Sequence, residues 1–169
     1  MSDKIDLPLF DSASVALLSD VSAMPSAGGD ALHRLKQLTS ADRLSITPHV
    51  YAYYVDMRTH ADTSWVDEAM PRPAQPHDIW QHVRPLSISI KSRPAKSDAA
   101  AEAEPVFYVL LEANCDWEDE HGLLLSWKNG RELVKVGDYD DKPVHADTAP
   151  SGVIYRSSYD DRFSTFRTL

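Results

Sequence analysis

Two short stretches concentrate the residue types that do chemistry. Asn114-Cys115-Asp116-Trp117-Glu118-Asp119-Glu120-His121-Gly122-Leu123 gathers four carboxylates around a tryptophan and a histidine, together with the chain's single cysteine. Gly137-Asp138-Tyr139-Asp140-Asp141-Lys142 adds three more carboxylates. Clustered carboxylates suit three kinds of chemistry: holding a hard cation through oxygen, acid–base work in hydrolysis, and attraction of a cationic partner.

The spacing argues against the first two. Counted from Asp138, a twelve-residue calcium loop needs an oxygen ligand at its fifth place, glycine at its sixth and glutamate at its twelfth. Lys142, Pro143 and Ala149 stand there instead. Glu120-His121 lacks the His-Glu-x-x-His spacing that aims two imidazoles at one zinc ion. Glycosidic hydrolysis needs two carboxyl groups about 5–10 Å apart in a cleft, one with a raised pKa. Acids crowded into an exposed turn stay ionised. Cys115 sits beside Asp116, where negative charge blunts a thiol. Neither a Gly-x-Ser-x-Gly elbow nor a glycine-rich phosphate loop occurs. No catalytic residue, metal ligand or cofactor is therefore expected.

The third chemistry remains. Trp117, Glu118, Asp119, Glu120, Asp138, Asp140 and Asp141 form the expected partner-binding set, with Trp117 as a buried anchor and the carboxylates steering association. A metal-binding or hydrolytic domain using the Glu118–His121 turn is the alternative. A third reading makes the same residues a hydrated β-turn in which Trp117 is a structural anchor and Gly122 serves backbone geometry.

The elements that must position these residues come next. The 169 residues suit one domain. A hydrophobic share of 43% and a charged share of 25% exclude a disordered tail, a collagen-like chain and a coiled-coil rod. The net charge of −9 argues against nucleic acid and anionic membrane, which are bound through Lys and Arg. One cysteine excludes an internal disulfide. No segment approaches the roughly 18 apolar residues of a membrane span, and the N-terminus lacks a secretory layout. The expected location is cytoplasmic.

Along the chain, residues 1–29 read as an N-terminal arm in which Leu7, Leu9 and Phe10 form a short strand or pack as an arm. Ser26-Ala27-Gly28-Gly29 breaks the pattern, and Asp30 caps a helix carrying Leu32, Leu35 and Leu38. Thr47-Pro48 starts a second helix with Val50, Tyr53, Tyr54, Met57 and Ala61 on one face. A small helical stretch holding Trp65, Val66 and Met70 and another over 76–83 complete a helical part spanning 30–85. Alternation then switches to period two. Residues 86–137 read as an antiparallel sheet with strands at 86–91, 106–113, 123–127 and 133–136, and an exposed loop at 93–104. Asn129-Gly130 supplies the positive φ angles of a tight hairpin. Residues 138–169 are an acidic loop and a tail that docks as a closing helix or an edge strand. The fold class expected is α+β, with N-terminal helices packed on a C-terminal antiparallel sheet, in one domain over 1–169.

Four stretches together resemble a bacterial domain family of unknown function. They are Asp42-Arg43-Leu44 leading into His49-Val50-Tyr51-Ala52-Tyr53; Ile79-Trp80-Gln81-His82-Val83-Arg84-Pro85; Trp117-Glu118-Asp119-Glu120-His121-Gly122-Leu123; and Asn129-Gly130-Arg131-Glu132-Leu133-Val134-Lys135-Val136-Gly137. The likeness spans roughly residues 40–141, and the chain departs from the pattern where Asp140-Asp141-Lys142 runs on without a glycine. The resemblance implies a cytosolic, immunity-protein-like domain that acts by binding, here to a basic toxin or effector protein.

Overall fold

The chain opens on strands. Ile5 and Leu7 alternate with Lys4 and Asp6, and this five-residue run forms β1 (Asp3–Leu7), paired antiparallel with β2 (Ala13–Leu17). The turn between them buries Leu9 and Phe10 and places Asp11 and Ser12 at φ of 54° and 63°. The computed structural model describes residues 3–60, 64–94 and 104–168. Within it the helices α1 (Ser26–Leu35), α2 (Arg43–His60) and α3 (Ser64–Ala69) come after these strands. They are followed by β3 (Val83–Arg93), β4 (Val106–Cys115), β5 (Glu118–Lys128), β6 (Glu132–Gly137), β7 (Val153–Tyr155) and β8 (Thr165–Phe166). All eight strands make one sheet in sequence order, antiparallel except for the β2–β3 and β6–β7 pairs.

This corrects the expected arrangement of N-terminal helices on a C-terminal sheet. Helix and strand are mixed as in an α+β protein, but the sheet begins at Asp3 and the helices lie within the connection between two of its parallel strands. Parallel strands need a long crossover, and the helical block supplies it. The first two strands escape a sequence reading because each is five residues long and carries only two or three inward apolar side chains.

Two helix boundaries move for identifiable reasons. Helix α1 starts at Ser26, directly after Pro25, so Gly28 and Gly29 lie inside it. A Cβ on Gly28 would come within 3.2 Å of the Phe107 ring and the Met24 sulfur, so a larger residue there would make those side chains give way. Helix α2 starts at Arg43 behind a short turn in which the Asp42 carboxylate accepts from the Thr39 N–H at 2.7 Å. Pro48 therefore lies inside α2, where it removes one helical hydrogen bond. Thr47 sits on the buried side, donating to the Arg43 carbonyl (2.6 Å) and accepting from Trp80 Nε1 (2.8 Å). The expected place of Ala61, and most of the expected 93–104 loop, lie outside the described residues. The tail takes the strand alternative, as β7 and β8.

The helices cover one face of the sheet. Phe107, Val109, Leu111, Ala113 and Cys115 of β4 alternate onto that face and join Val50, Tyr53 and Tyr54 of α2 in the core. The other face carries Leu110 and Leu124, both fully buried. The β6–β7 connection crosses this second face and is tied down at two points. Lys135 Nζ donates to both Asp140 oxygens at 2.7 Å and to the Lys142 carbonyl at 3.1 Å. Lys91 Nζ donates to Asp141 at 2.7 Å.

Candidate functional site

The turn that joins β4 to β5 is built from the inside outward. Trp117 is fully buried, edge-on to Tyr53 and Tyr54 at 5.9 and 6.0 Å between ring centres. It anchors the turn in the core and is not available to a partner, which corrects the expectation that it is a docking anchor. Glu118 is buried too. One of its oxygens accepts from the Glu120 N–H (2.9 Å) and the other from the His121 N–H (2.7 Å). The strand register breaks here, with Cys115 opposite Glu118 but Ala113 opposite Leu123. Four residues thus bulge against Asn114, and the Glu118 carboxylate satisfies the bulge's own amides. Gly122 completes the device with a φ of 67°, and a Cβ on it would fall 2.5 Å from the Ala113 carbonyl oxygen. Its own carbonyl accepts from the buried Tyr53 hydroxyl (3.1 Å). The Trp-Glu-Asp-Glu-His-Gly-Leu stretch is thus in large part a folding device.

At the base of this turn Asp116 faces His82 Nδ1 (2.9 Å) and accepts from Arg84 (2.6 Å). Partial burial acts to raise its pKa, but these two neighbours outweigh it and hold the carboxyl below its usual range. Burial, with the Glu118 and Asp116 charges, pushes the Cys115 thiol far up. Such a thiol is a core side chain and no nucleophile.

The expected set does not form a single face. Asp140 and Asp141 are held on the second face of the sheet by Lys135 and Lys91. Lys91 is eight residues along β3 from Val83, the residue in register with Cys115 at the Trp117 turn. At ~3.3 Å per residue the two places are about 25 Å apart along the strand. This corrects the expectation that Asp141 stands beside Trp117, while Asp140, though tied to Lys135, is exposed and lines the same cleft as Asp138. The Lys91 ammonium also holds the Asp141 carboxyl below its usual range, while burial and the bond to Asp141 push the Tyr139 hydroxyl up to about 12.

Asp119, Glu120 and Asp138 remain. All three are exposed, and none takes part in an ion pair among the described residues. Glu118 and Asp138 both lie close enough to Tyr53 for their charges to add to the effect of its burial in disfavouring the phenolate. Asp138 therefore stands near the Glu118–Gly122 bulge. It also lines a cleft of about 510 Å³ at the carboxyl ends of the parallel strands β6 and β7, shared with Lys135, Arg156, Ser157, Tyr159 and Asp161. Tyr159 is 55% exposed at this rim.

Beneath the cleft lies a group that the sequence reading missed. Asp56 of α2 is completely buried. It accepts from the Tyr155 hydroxyl at 2.5 Å, and its other oxygen lies 2.8 Å from His60 Nδ1. Burial, then the bond to Asp56, pushes the Tyr155 hydroxyl well above its ordinary pKa. His60 stacks on Tyr159 at 5.5 Å and meets the Phe163 edge at 5.0 Å. Along the same helix His49 Nδ1 lies 2.7 Å from Thr165 Oγ1. Three polar residues of α2 therefore seat the C-terminal segment. The available signal was spacing, since Asp56 follows the core residue Tyr53 by three and precedes His60 by four. We expect Asp56→Ala to cost about 3 kcal/mol, because it strands a buried hydroxyl and removes the link to His60. Urea unfolding of this variant and of Asp56→Asn, which keeps an acceptor for Tyr155 and should cost less, checks it.

Among the described residues no three His, Cys, Asp or Glu side chains converge into a group able to hold a metal ion. No helix among the described residues is long and apolar enough to cross a membrane. A family model described as "Domain of unknown function (DUF6985)" matches residues 1–143, taking in the first forty residues as well as the stretches singled out above. No curated protein and no solved structure matches the chain.

Proposed function

We propose, from the premise that the chain belongs to the DUF6985 family of domains of unknown function, that it is a non-enzymatic binding protein of the bacterial immunity type. On this reading it is a cytoplasmic protein that neutralises a basic toxin or effector by direct contact. The observation that carries the reading is the set of exposed carboxylates on the Glu118–Gly122 bulge and on the cleft that Asp138 lines beside it. Asp119, Glu120 and Asp138 lack ion-pair partners among the described residues, and Asp161 shares the rim with the exposed ring of Tyr159. Unpaired carboxylates on a chain of net charge −9 attract a cationic surface over a distance of about a Debye length, ~8 Å at physiological salt. An exposed tyrosine beside them offers an amphipathic contact once the partner arrives.

The test is affinity capture from the source cells at low salt, with the wild-type chain and an Asp119→Lys/Glu120→Lys/Asp138→Lys variant as baits. A basic protein retained by the wild type is then purified and its association rate followed against salt. The expected result is a rate at least about tenfold slower for the variant, with a flatter salt dependence. Equal rates for the two baits, or capture of no basic protein, overturns the reading.

A further inference from the structure

Strand β1 is an open rim of the sheet, and the direction of its backbone groups can be worked out. The Leu7 carbonyl accepts from the Ser12 N–H at 3.0 Å, so Leu7 turns its N–H and C=O toward β2. Alternation along a strand turns Ile5 and Asp3 the same way. The other side of β2 agrees. The Leu18 N–H donates to the Ile88 carbonyl at 2.9 Å, which aims Leu18 and Ala16 at β3 and leaves Ala13, Val15 and Leu17 to face β1. Those three are the residues in register with Leu7, Ile5 and Asp3. The backbone groups of Lys4 and Asp6 therefore point out of the sheet, where no further strand lies among the described residues. Their side chains are exposed and form no ion pair among the described residues.

We propose that this edge pairs antiparallel with the same edge of a second copy, about a two-fold axis at Ile5. The register follows from the outward groups. Among the described residues only Lys4 and Asp6 present backbone partners, so a symmetric pairing between them is centred on residue 4, 5 or 6. Centring on Lys4 sets Lys4 against its own copy. Centring on Asp6 sets two carboxylates face to face and places Lys4 opposite Pro8, which has no N–H to give. Centring on Ile5 sets Lys4 against the second copy's Asp6, and Asp6 against its Lys4. That register makes four backbone hydrogen bonds and two ion pairs, with opposite charges directly across the strands where they stabilise a sheet. Ile5 then meets its own copy at the close, non-hydrogen-bonded position, on the face where Leu7 joins the core. The two eight-stranded sheets become one continuous sheet.

Five residues of edge bury less than the ~1,200 Å² of a stable interface, so the association depends on concentration. Sedimentation equilibrium on the full chain reads it. The wild-type mass is expected to rise from 18.9 kDa toward twice that value as the protein is concentrated. Lys4→Pro deletes an N–H that faces outward and leaves the β2 ladder intact, a position where an edge strand accepts proline. This variant is expected to stay monomeric with unchanged circular dichroism. Lys4→Glu and Asp6→Lys, made singly, are each expected to weaken the dimer at least about tenfold, and the double variant Lys4→Glu/Asp6→Lys to restore it. A wild type that remains monomeric at about 300 μM overturns the proposal. So does a dimer that persists in Lys4→Pro, or a charge swap that fails to restore pairing.

Discussion

Trp117→Ala lowers the unfolding free energy by about 3–5 kcal/mol, the cost of deleting a large aromatic from a closed site. In a chain of this size that displaces the thermal midpoint by on the order of 10 °C. The loss arises inside the molecule. The indole contacts Tyr53 and Tyr54, and its removal leaves a void beneath the β4–β5 bulge. Trp117→Phe should cost distinctly less, since it keeps the ring and discards an indole N–H that has no acceptor among the described residues. Differential scanning calorimetry on the two variants decides the matter. Were the tryptophan a docking anchor, Trp117→Ala would leave the midpoint within a degree or two of the wild type and show its effect only on a partner.

The second large effect is expected at Gly130. With Asn129 at a φ of 51° and Gly130 at 75°, the hairpin has two successive residues in the left-handed region. Any L residue is strained there. At Gly130 the surroundings add more, because a Cβ would fall 1.8 Å from the Ala31 carbonyl oxygen. That oxygen is backbone, in the middle of α1, and it cannot swing aside as a side-chain tip would. Arg34 fastens the same contact by donating from Nε to the Asn129 carbonyl at 2.8 Å. Gly130→Ala must therefore push α1 off the hairpin, at about 3 kcal/mol. Asn129→Gly, which relaxes the other left-handed residue without new bulk, should be nearly neutral. Chemical denaturation of both separates the conformational contribution from the clash.

The same hairpin shows what could be read from the sequence. Asn129-Gly130 between two apolar runs announced a tight reversal because the dipeptide names its own backbone angles, and β5 and β6 meet there. Strand β3 was legible from its alternation, β4 from its nearly continuous apolar run, and β5 and β6 from the apolar runs on either side of the turn. The opening strands were not, since Asp3–Leu7 and Ala13–Leu17 are too short for two-residue alternation to stand out and become strands only by pairing with each other and with β3. Gly28-Gly29 looked like a helix breaker, but glycine inside α1 answers to Phe107, seventy-nine positions further along the chain. The candidate site failed in an instructive way. Composition picks out carboxylates and cannot tell one that waits for a partner from one that is already engaged. Glu118 is committed to the amides of its own bulge, and Asp140 and Asp141 to lysines on β6 and β3. Asp56 carries the converse lesson: a single acid among tyrosines offered no cluster to notice, and its importance comes from Tyr155, ninety-nine residues away.

The connection that Lys135 and Lys91 pin across the second face has a consequence for any ligand this molecule recognises. With helices on one side and that strap on the other, the central strands are clad front and back by their own chain. On the second face a visitor meets only what the strap leaves open, a groove of about 650 Å³ where Tyr108, Lys128 and Val134 face Val144 and Val153, and recognition otherwise moves out to loop tips, strand ends and the outermost backbone.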